Sequence, residues 1–213
     1  MRVASQALPF VIALAVLAIL LGVFAGPVFT IPPLFAALFV LFFFRDPNRV
    51  PPSDEALVLA PADGRISTVE SGPAGARISI FLSLFDCHIN RAPVTGCVRE
   101  TSYTPGRYHP AWQQRASSQN ERNHLVIESG VEIYGVTQVA GVVARRIVCS
   151  KNPGDKVWRG ERIGLIQFGS RTDLHLPAGI EPLVSVGDRV YGGLTVMART
   201  DRKRESAPGG SVR

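Results

Sequence analysis

The residues with the clearest chemical potential are a serine and the glycine before it, placed between two strand-like segments. Gly169-Ser170 separates the apolar run 162–168 from a second run at 172–177. A Gly-Ser pair alone is typical of an ordinary turn. A serine hydroxyl is also a weak nucleophile unless neighbouring groups activate and aim it. The pair therefore acquires a chemical meaning only from the sequence around it.

Two further side chains could act with a serine, although each also has an ordinary structural explanation. Asp63 stands before Gly64, and Asp-Gly is a strong turn signal. His88 follows the strand-like segment 78–85, where a buried and satisfied histidine is an alternative reading. The remaining histidines carry weaker signals, because one lies in a polar segment and two alternate with apolar residues as strand positions do; they are His109, His124 and His175.

The string from Gly160 to Arg171 resembles the processing site of the phosphatidylserine decarboxylases, in their short bacterial form. The resemblance covers most of residues 45–199. The other segments that carry it are Phe44-Arg45-Asp46-Pro47, Pro61-Ala62-Asp63-Gly64, Asp86-Cys87-His88, Arg91-Ala92-Pro93, Asn120-Glu121-Arg122-Asn123 and Ala144-Arg145-Arg146-Ile147-Val148-Cys149. Each segment is weak alone, but their order and spacing together are specific.

In that family the serine cuts its own backbone and becomes a pyruvoyl group, the electron sink for removing carbon dioxide. The resemblance therefore implies self-cleavage between Gly169 and Ser170 and a covalent pyruvoyl cofactor made from Ser170. It implies a carboxy-lyase that converts phosphatidylserine into phosphatidylethanolamine without a metal. Fragments 1–169 and 170–213 would remain together as a heterodimer, and a further homo-oligomer stays open.

The resemblance also assigns roles to side chains near the serine. Asp63 and a histidine would promote cleavage, but the long form takes that histidine from a position three residues after His88. This chain has Arg91 there, and an arginine cannot act as a base at neutral pH. Either His88 takes both roles or cleavage is assisted differently. Arg91, Arg145 and Arg146 are candidates for the lipid phosphate, which a guanidinium fork suits well.

The segment from Val3 to Phe44 contains no charged residue. A single helix of that length would measure about 60 Å, twice the hydrocarbon core of a bilayer. Gly26-Pro27 and Pro32-Pro33 are natural breaks, so we expect a hairpin of helices at about 8–25 and 33–44. The second helix is short, which leaves a re-entrant hairpin open. A signal peptide is disfavoured because a second apolar stretch follows the first.

Basic residues flank both outer ends of this hairpin, with Arg2 before it and Arg45 and Arg49 after it. The positive-inside rule then predicts a cell-membrane protein whose remaining chain lies in the cytoplasm. The net charge of +6 suits an anionic lipid surface. No basic helix with interleaved aromatic residues is present, which argues against a nucleic-acid partner. Three cysteines without a CxxC pair argue against a zinc or disulfide framework.

The rest of the chain predicts a mainly β (α+β) fold. We expect four regions, namely the membrane-anchoring hairpin over 1–44, a proline-containing linker over 45–56, a β-rich catalytic domain over 57–199 and a disordered basic tail over 200–213. Strands are expected at 131–149 and 183–198, among others, and a polar loop at 105–122.

A weak internal repeat relates residues 153–164 to residues 185–196, through a shared Gly-Asp-basic-Val pattern followed by glycine. The pattern resembles the hammerhead turn of biotinyl- and lipoyl-like β-sandwiches, so we expect a β-sandwich with such elements. This leaves an alternative function, a non-catalytic membrane-anchored lipoyl-like adaptor. That alternative lacks the long heptad repeats expected of such adaptors and does not explain the string around Ser170.

Overall fold

The computed structural model describes residues 2–107, 109, 119–141, 146–167 and 170–200. Three expectations fall on residues outside these ranges: the roles of Gly169 and Arg145 and the disorder of the tail beyond Thr200. Most of the polar segment expected at 105–122 also lies outside the described residues.

Two apolar helices precede the β-rich part. Helix α1 is Leu8–Phe24 and helix α2 is Ile31–Phe43, with short 3₁₀ helices at Ser5–Ala7 and Pro27–Thr30. Gly26 between them has a φ of 107°, a conformation that favours glycine. The segment Ser5–Phe24 has 20 residues and is the one described helix long and apolar enough to cross a membrane, whereas the apolar segment Pro27–Phe43 is shorter.

The described residues also form fifteen strands. In chain order they are β1 (Arg2–Val3), β2 (Arg45–Asp46), β3 (Leu57–Leu59), β4 (Gly64–Gly72), β5 (Gly75–Leu82), β6 (Ile89–Arg91), β7 (Gly96–Thr104), β8 (Arg122–Ser129), β9 (Glu132–Val139), β10 (Arg146–Cys149), β11 (Lys156–Val157), β12 (Arg162–Gln167), β13 (Ser170–Leu176), β14 (Arg189–Val190) and β15 (Val196–Arg199). The prediction of a mainly β fold behind an apolar helix is confirmed.

The largest sheet is antiparallel and curled, with the strand order β11-β7-β8-β9-β13-β5-β4-β14. Strand β13 lies in its interior, because Ser170 pairs with Leu82 of β5 and Arg171 pairs with Val139 of β9. Smaller sheets have the orders β10-β12-β6, β15-β3 and β1-β2. One apolar core joins the large sheet to β3, β12 and β15. The last small sheet closes the base of the helical pair, since Arg2 pairs with Asp46.

Two of the expected strands are interrupted. The segment 183–198 forms β14 and β15 with a turn between them, in which Leu194 N–H donates to the Tyr191 carbonyl at 3.0 Å. Gly193 in this turn has a φ of 75°, which ends an extended strand. The segment 131–149 is also not one continuous strand, because residues 140 and 141, directly after β9, lie outside any strand. The expectation of one continuous strand was wrong in both places.

The internal repeat forms two turns of the same geometry. Gly154 and Gly187 have φ values of 93° and 96°. The carboxylates of Asp155 and Asp188 each accept the amide three residues earlier at 2.8 Å. The strand after each turn, β11 or β14, then forms one of the two opposite edges of the large sheet.

Residues 45–56 are held against the β-rich part by arginine side chains. Arg91 donates to the Pro47 carbonyl at 2.8 Å, and Arg162 forms an ion pair with Asp46 at 2.6 Å. Arg159 donates to further main-chain carbonyls of the same segment. The helices are therefore connected to the sheets by a pinned segment, which fixes how the base of the helical pair meets the candidate site.

Candidate active site

Ser170 is the first residue of β13 and is fully buried. Its Oγ has no hydrogen-bond partner among the described residues. Buried hydroxyl groups are normally paired, so an unpaired one calls for an explanation. A hydroxyl that is not occupied by a structural hydrogen bond remains available for chemistry.

His88 lies just before β6 and is also buried. Its Nδ1 is 3.0 Å from the carbonyl oxygen of Asp86. Because a carbonyl only accepts, Nδ1 carries the hydrogen and Nε2 is the basic nitrogen. Burial lowers the pKa of His88 from 6.5 to about 4, so the imidazole is neutral at neutral pH. The ring packs against Phe43 at the end of α2, with centroids 4.2 Å apart.

The segments that carry these two residues are joined by a side-chain hydrogen bond. Asn90 lies two residues after His88, and Thr172 lies two residues after Ser170 on the same face of β13. Asn90 Nδ2 donates to Thr172 Oγ1 at 3.1 Å. The contact fixes the His88 segment next to the strand that begins with the serine.

A buried amide network holds Asn90 in turn. Gln138 Nε2 donates to Asn90 Oδ1 at 2.8 Å, and Asn123 Nδ2 donates to Gln138 Oε1 at 3.2 Å. None of these residues has a role predicted from sequence, although Asn123 belongs to a segment that carries the resemblance. The register of β8 and β9, which places Asn123 opposite Gln138, is the signal that would have found them.

Asp63 stands in the turn before β4, but the structure does not bring its carboxylate to His88. Oδ1 and Oδ2 accept hydrogen bonds from Nη1 and Nη2 of Arg49, at 2.5 and 2.7 Å respectively. Oδ1 also accepts the amide of Gly192 at 2.8 Å. The hydrogen bond to Asp63 raises the pKa of Arg49. Among the described residues no hydrogen bond joins Asp63 to His88, and the negative charge of Asp63 acts on that ring only at longer range.

The repeat in the fold shows which part of this arrangement is structural. Thr95 precedes β7 as Asp63 precedes β4, and Thr95 Oγ1 accepts the amide of Arg159 at 3.1 Å. In the other copy of the repeat, Asp63 Oδ1 accepts a hydrogen bond from the amide of Gly192, which corresponds to the amide of Arg159. The hydroxyl of a threonine is therefore sufficient to bind this amide. The carboxylate of Asp63 adds the ion pair with Arg49 of the pinned segment, which has no counterpart at Thr95 among the described contacts.

The candidate phosphate ligands lie in different environments. Arg91 is buried, and its terminal nitrogens donate to the carbonyls of Gly160 and Pro47 at 2.9 and 2.8 Å. Burial lowers the pKa of Arg91. Arg146 is exposed at the start of β10, opposite Gln167, three residues before Ser170. Arg145 lies outside the described residues.

The remaining histidines do not join this group. His124 and His175 both contact Thr137, at 2.8 and 2.9 Å. His175 lies five residues from Ser170 on β13, so it faces the other side of the sheet. His109 donates its amide to Asn120 at 2.8 Å. No cluster of three or more metal-ligating side chains occurs within the described residues.

The base of the helical pair packs directly on the candidate site. Phe43, Phe44 and Ala7 share a buried apolar cluster with Cys87 and Ile89, the two neighbours of His88. Cys87 Sγ also contacts the Arg45 carbonyl at 3.3 Å. The apolar helices and the buried imidazole therefore meet at the same end of the large sheet as Ser170.

Comparisons with known proteins identify the family to which the chain is similar. The family model described as phosphatidylserine decarboxylase matches residues 36–198. A protein of Beijerinckia indica named phosphatidylserine decarboxylase proenzyme is 49% identical over 183 residues, which cover 80% of this chain and 79% of the relative. Identically named proteins of Pelobacter propionicus and Ruegeria pomeroyi are 42% and 47% identical. They cover 92% and 74% of this chain, and the matches span 96% and 77% of those relatives.

Proposed function

The chain belongs to the phosphatidylserine decarboxylase family, and we propose that it converts phosphatidylserine into phosphatidylethanolamine with a pyruvoyl group made from its own Ser170. The observation that carries this proposal is the buried hydroxyl of Ser170 at the start of an interior strand, which has no hydrogen-bond partner within the described part of the chain. The name proenzyme in the relatives supports processing of the chain. The family does not favour the alternative of a non-catalytic adaptor.

The cut would fall between Gly169 and Ser170. Ser170 Oγ attacks the carbonyl carbon of Gly169, a C–O bond forms, and the C–N bond to Ser170 breaks, which gives an ester and a free amine. Loss of the Ser170 α-proton then expels the carboxylate of Gly169 and leaves dehydroalanine. Hydrolysis of the dehydroalanine consumes one water and releases its nitrogen as ammonia, so that the new fragment begins with a pyruvoyl group. The serine hydroxyl fits the first step, because attack breaks no hydrogen bond of Ser170 Oγ to any residue that the structure describes.

His88 is the proposed base for the first step. Its neutral imidazole has Nε2 as the basic nitrogen, since Nδ1 donates to the Asp86 carbonyl. The amide network through Asn90 and Thr172 supports the placement of its segment next to Ser170. In this arrangement the Asp86 carbonyl orients the ring, and Asp63 acts from a distance by its charge and by holding Arg49.

In turnover the pyruvoyl carbonyl supplies an electron sink for the carbon–carboxylate bond of the substrate. This chain's residues then have two tasks, to hold the headgroup and to return a proton to the carbon that lost carbon dioxide. We assign the proton return to His88, the buried imidazole beside the serine strand. Arg146 is the preferred partner of the lipid phosphate because its side chain is exposed and its strand position pairs with Gln167, which precedes Ser170 by three residues in the chain. Arg91 would first have to release two carbonyls.

The two fragments, 1–169 and 170–213, would stay associated after the cut. Strand β13 begins at Ser170 and is paired along its length with β5 on one side and with β9 on the other. The cut removes a peptide bond and leaves these ladders in place. We also infer that the two Gly-Asp turns at the sheet edges are hammerhead elements of the biotinyl and lipoyl type, supported by their matching hydrogen bonds.

We propose that the helical pair holds this site at the headgroup level of the cell membrane, with residues 45–213 in the cytoplasm. The 20-residue apolar segment Ser5–Phe24 and the basic residues beyond both ends of the pair support this placement. The packing of Phe43 on His88 supports it further, because the membrane-facing helices then end at the site itself.

The test is Ser170→Ala beside the wild-type chain, both incorporated into vesicles that contain phosphatidylserine. The wild type is expected to appear as two fragments and to form ethanolamine lipid, and the variant is expected to remain a single inactive chain. Ethanolamine lipid from the uncut variant would refute the proposed route.

A further inference from the structure

The turn between β5 and β6 presents two apolar side chains to the outside. We name Ser83–Asp86 the apolar turn. Leu84 is 39% exposed and Phe85 is 69% exposed. Isolated exposed apolar residues are common, but two neighbours on one turn beside an apolar helix are a candidate interaction surface.

The apolar turn is rigidly closed. Asp86 Oδ2 accepts the amide and the hydroxyl of Ser83 at 2.8 and 2.7 Å, and the Asp86 amide donates to the Ser83 carbonyl at 2.9 Å. The other carboxylate oxygen pairs with Arg189. These contacts hold the backbone of the turn, so Leu84 and Phe85 stay displayed instead of folding back onto the core.

The apolar turn lies at the end of α2. Arg45, just after that helix, donates from Nη2 to the Phe85 carbonyl at 2.6 Å. The same guanidinium lies over the ring of Phe42, with its central carbon 4.1 Å from the ring centroid. The turn also follows Leu82, which pairs with Ser170. Phe85 is therefore next to the helix terminus, at the sheet end that carries the candidate site.

We propose that the apolar turn is a second membrane contact, in which Leu84 and Phe85 enter the lipid interface beside α2. The partner is the bilayer that contains the helices, with anionic headgroups near Arg45. Interfacial apolar side chains of this kind lie roughly 5–10 Å into the headgroup and acyl boundary. The inference rests on the proposed membrane location and deepens it, because it fixes the tilt of the catalytic part as well as its attachment.

This second contact has a consequence for the substrate. The apolar turn ends at Asp86, whose carbonyl orients His88. A turn that rests in the interface therefore keeps His88 at headgroup depth, where a serine headgroup already lies. A single helical attachment would leave the catalytic part free to lean away from the surface, whereas two contacts restrict it.

The experiment compares single tryptophan insertions in vesicles of phosphatidylcholine and phosphatidylglycerol that contain brominated acyl chains. The variants are Phe85→Trp in the apolar turn, Phe35→Trp in α2 and Val131→Trp in the turn between β8 and β9. Phe35 is 74% exposed and Val131 is 94% exposed, so both positions accept a large ring. Val131 lies at the far end of β8, about 25 Å from the Ser170 end of the sheet. The native tryptophans give the same baseline in all three variants.

Bromine is expected to quench at least about half of the added emission of Phe85→Trp and Phe35→Trp, since an interfacial ring lies within reach of the upper acyl chains, and to leave Val131→Trp unchanged. Quenching of Phe35→Trp with no quenching of Phe85→Trp would overturn the proposal and leave the membrane location standing. A second copy of the chain that covers Phe85 would give that result. Absence of quenching at both positions would overturn the membrane location as well. Quenching of Val131→Trp to the same degree would show unspecific adsorption and would also overturn the proposal.

Discussion

Phe43 connects the apolar helices to the chemistry, and its removal has a consequence that can be calculated. The ring is fully buried. Its centroid lies 4.2 Å from the centroid of the His88 ring and 5.0 Å from that of Phe44, which it meets edge-on. It forms part of the apolar wall whose desolvation lowers the pKa of His88 to about 4. Phe43→Ala opens that wall to water, and we expect the pKa of His88 to rise towards 6.5.

The magnitude follows from the size of this shift. Full relief would change the balance between neutral and charged imidazole by about 3 kcal/mol, since one pKa unit corresponds to ~1.4 kcal/mol. At pH 5 the neutral fraction of His88 would fall from about nine tenths to about 3%, a roughly 30-fold change. The charged groups that act on His88 remain in the variant, namely Asp86 and Asp63, which raise its pKa, and Arg45, which lowers it.

The lowered pKa of His88 also makes the stability of the protein depend on pH. The folded chain keeps His88 neutral down to about pH 4, whereas the unfolded chain protonates it below 6.5. The unfolded state therefore binds more protons in this window, and the contribution of His88 lowers stability as the pH falls from 6.5 to 4. Phe43→Ala should weaken this dependence, although the lost packing itself costs about 3–5 kcal/mol at every pH.

The assay is an NMR titration of histidine-labelled protein in nanodiscs, in the uncut Ser170→Ala background. Phe43→Leu keeps an apolar side chain beside His88 and serves if Phe43→Ala does not fold. The expected rise in the pKa of His88 is smaller in this variant. Phe35→Ala on the exposed side of α2 is the matched control and should leave the titration unchanged. A His88 that titrates near 6.5 in the parent, or one that responds equally to Phe43→Ala and Phe35→Ala, would refute the reasoning.

The remaining predictions concern cleavage, the Asp63 ion pair and topology. His88→Ala is expected to block or greatly slow the appearance of fragments on a gel, and maturation at the wild-type rate would move the search for the base elsewhere. Asp63→Asn should impair cleavage more than turnover per mole of pyruvoyl, and Arg49→Gln should do the same because it releases the pinned segment from that carboxylate; equal losses in both steps would contradict this. Protease added to intact spheroplasts should not reach residues 45–213, and digestion from outside would reverse the proposed orientation.

The sequence predicts those parts of the structure that depend on local patterns. Gly26 and the uncharged segment around it predict two helices, and their observed bounds lie close to the expected ones. The interruption at Gly193 was missed, because a glycine in an apolar run does not reveal by itself that it adopts a positive φ.

The candidate site was predicted in part. Ser170 and His88 could be predicted because each belongs to a short motif of adjacent residues. Apart from the local contact of His88 with the Asp86 carbonyl, contacts that position them join residues far apart in the chain, such as Phe43 with His88 or Asn90 with Thr172. Such pairs arise from strand register and packing. For the same reason the partner of Asp63 could not be read from its own turn, since Arg49 reaches it from the pinned segment.

The most direct test of the account is the mass of the purified wild-type protein and of its smaller fragment. We expect two chains, 1–169 and 170–213. The second should be lighter than a fragment that begins with serine by the mass of one ammonia, and it should resist Edman sequencing. A single intact chain of 213 residues with full decarboxylase activity, or a fragment that begins with a free serine amine, would contradict it.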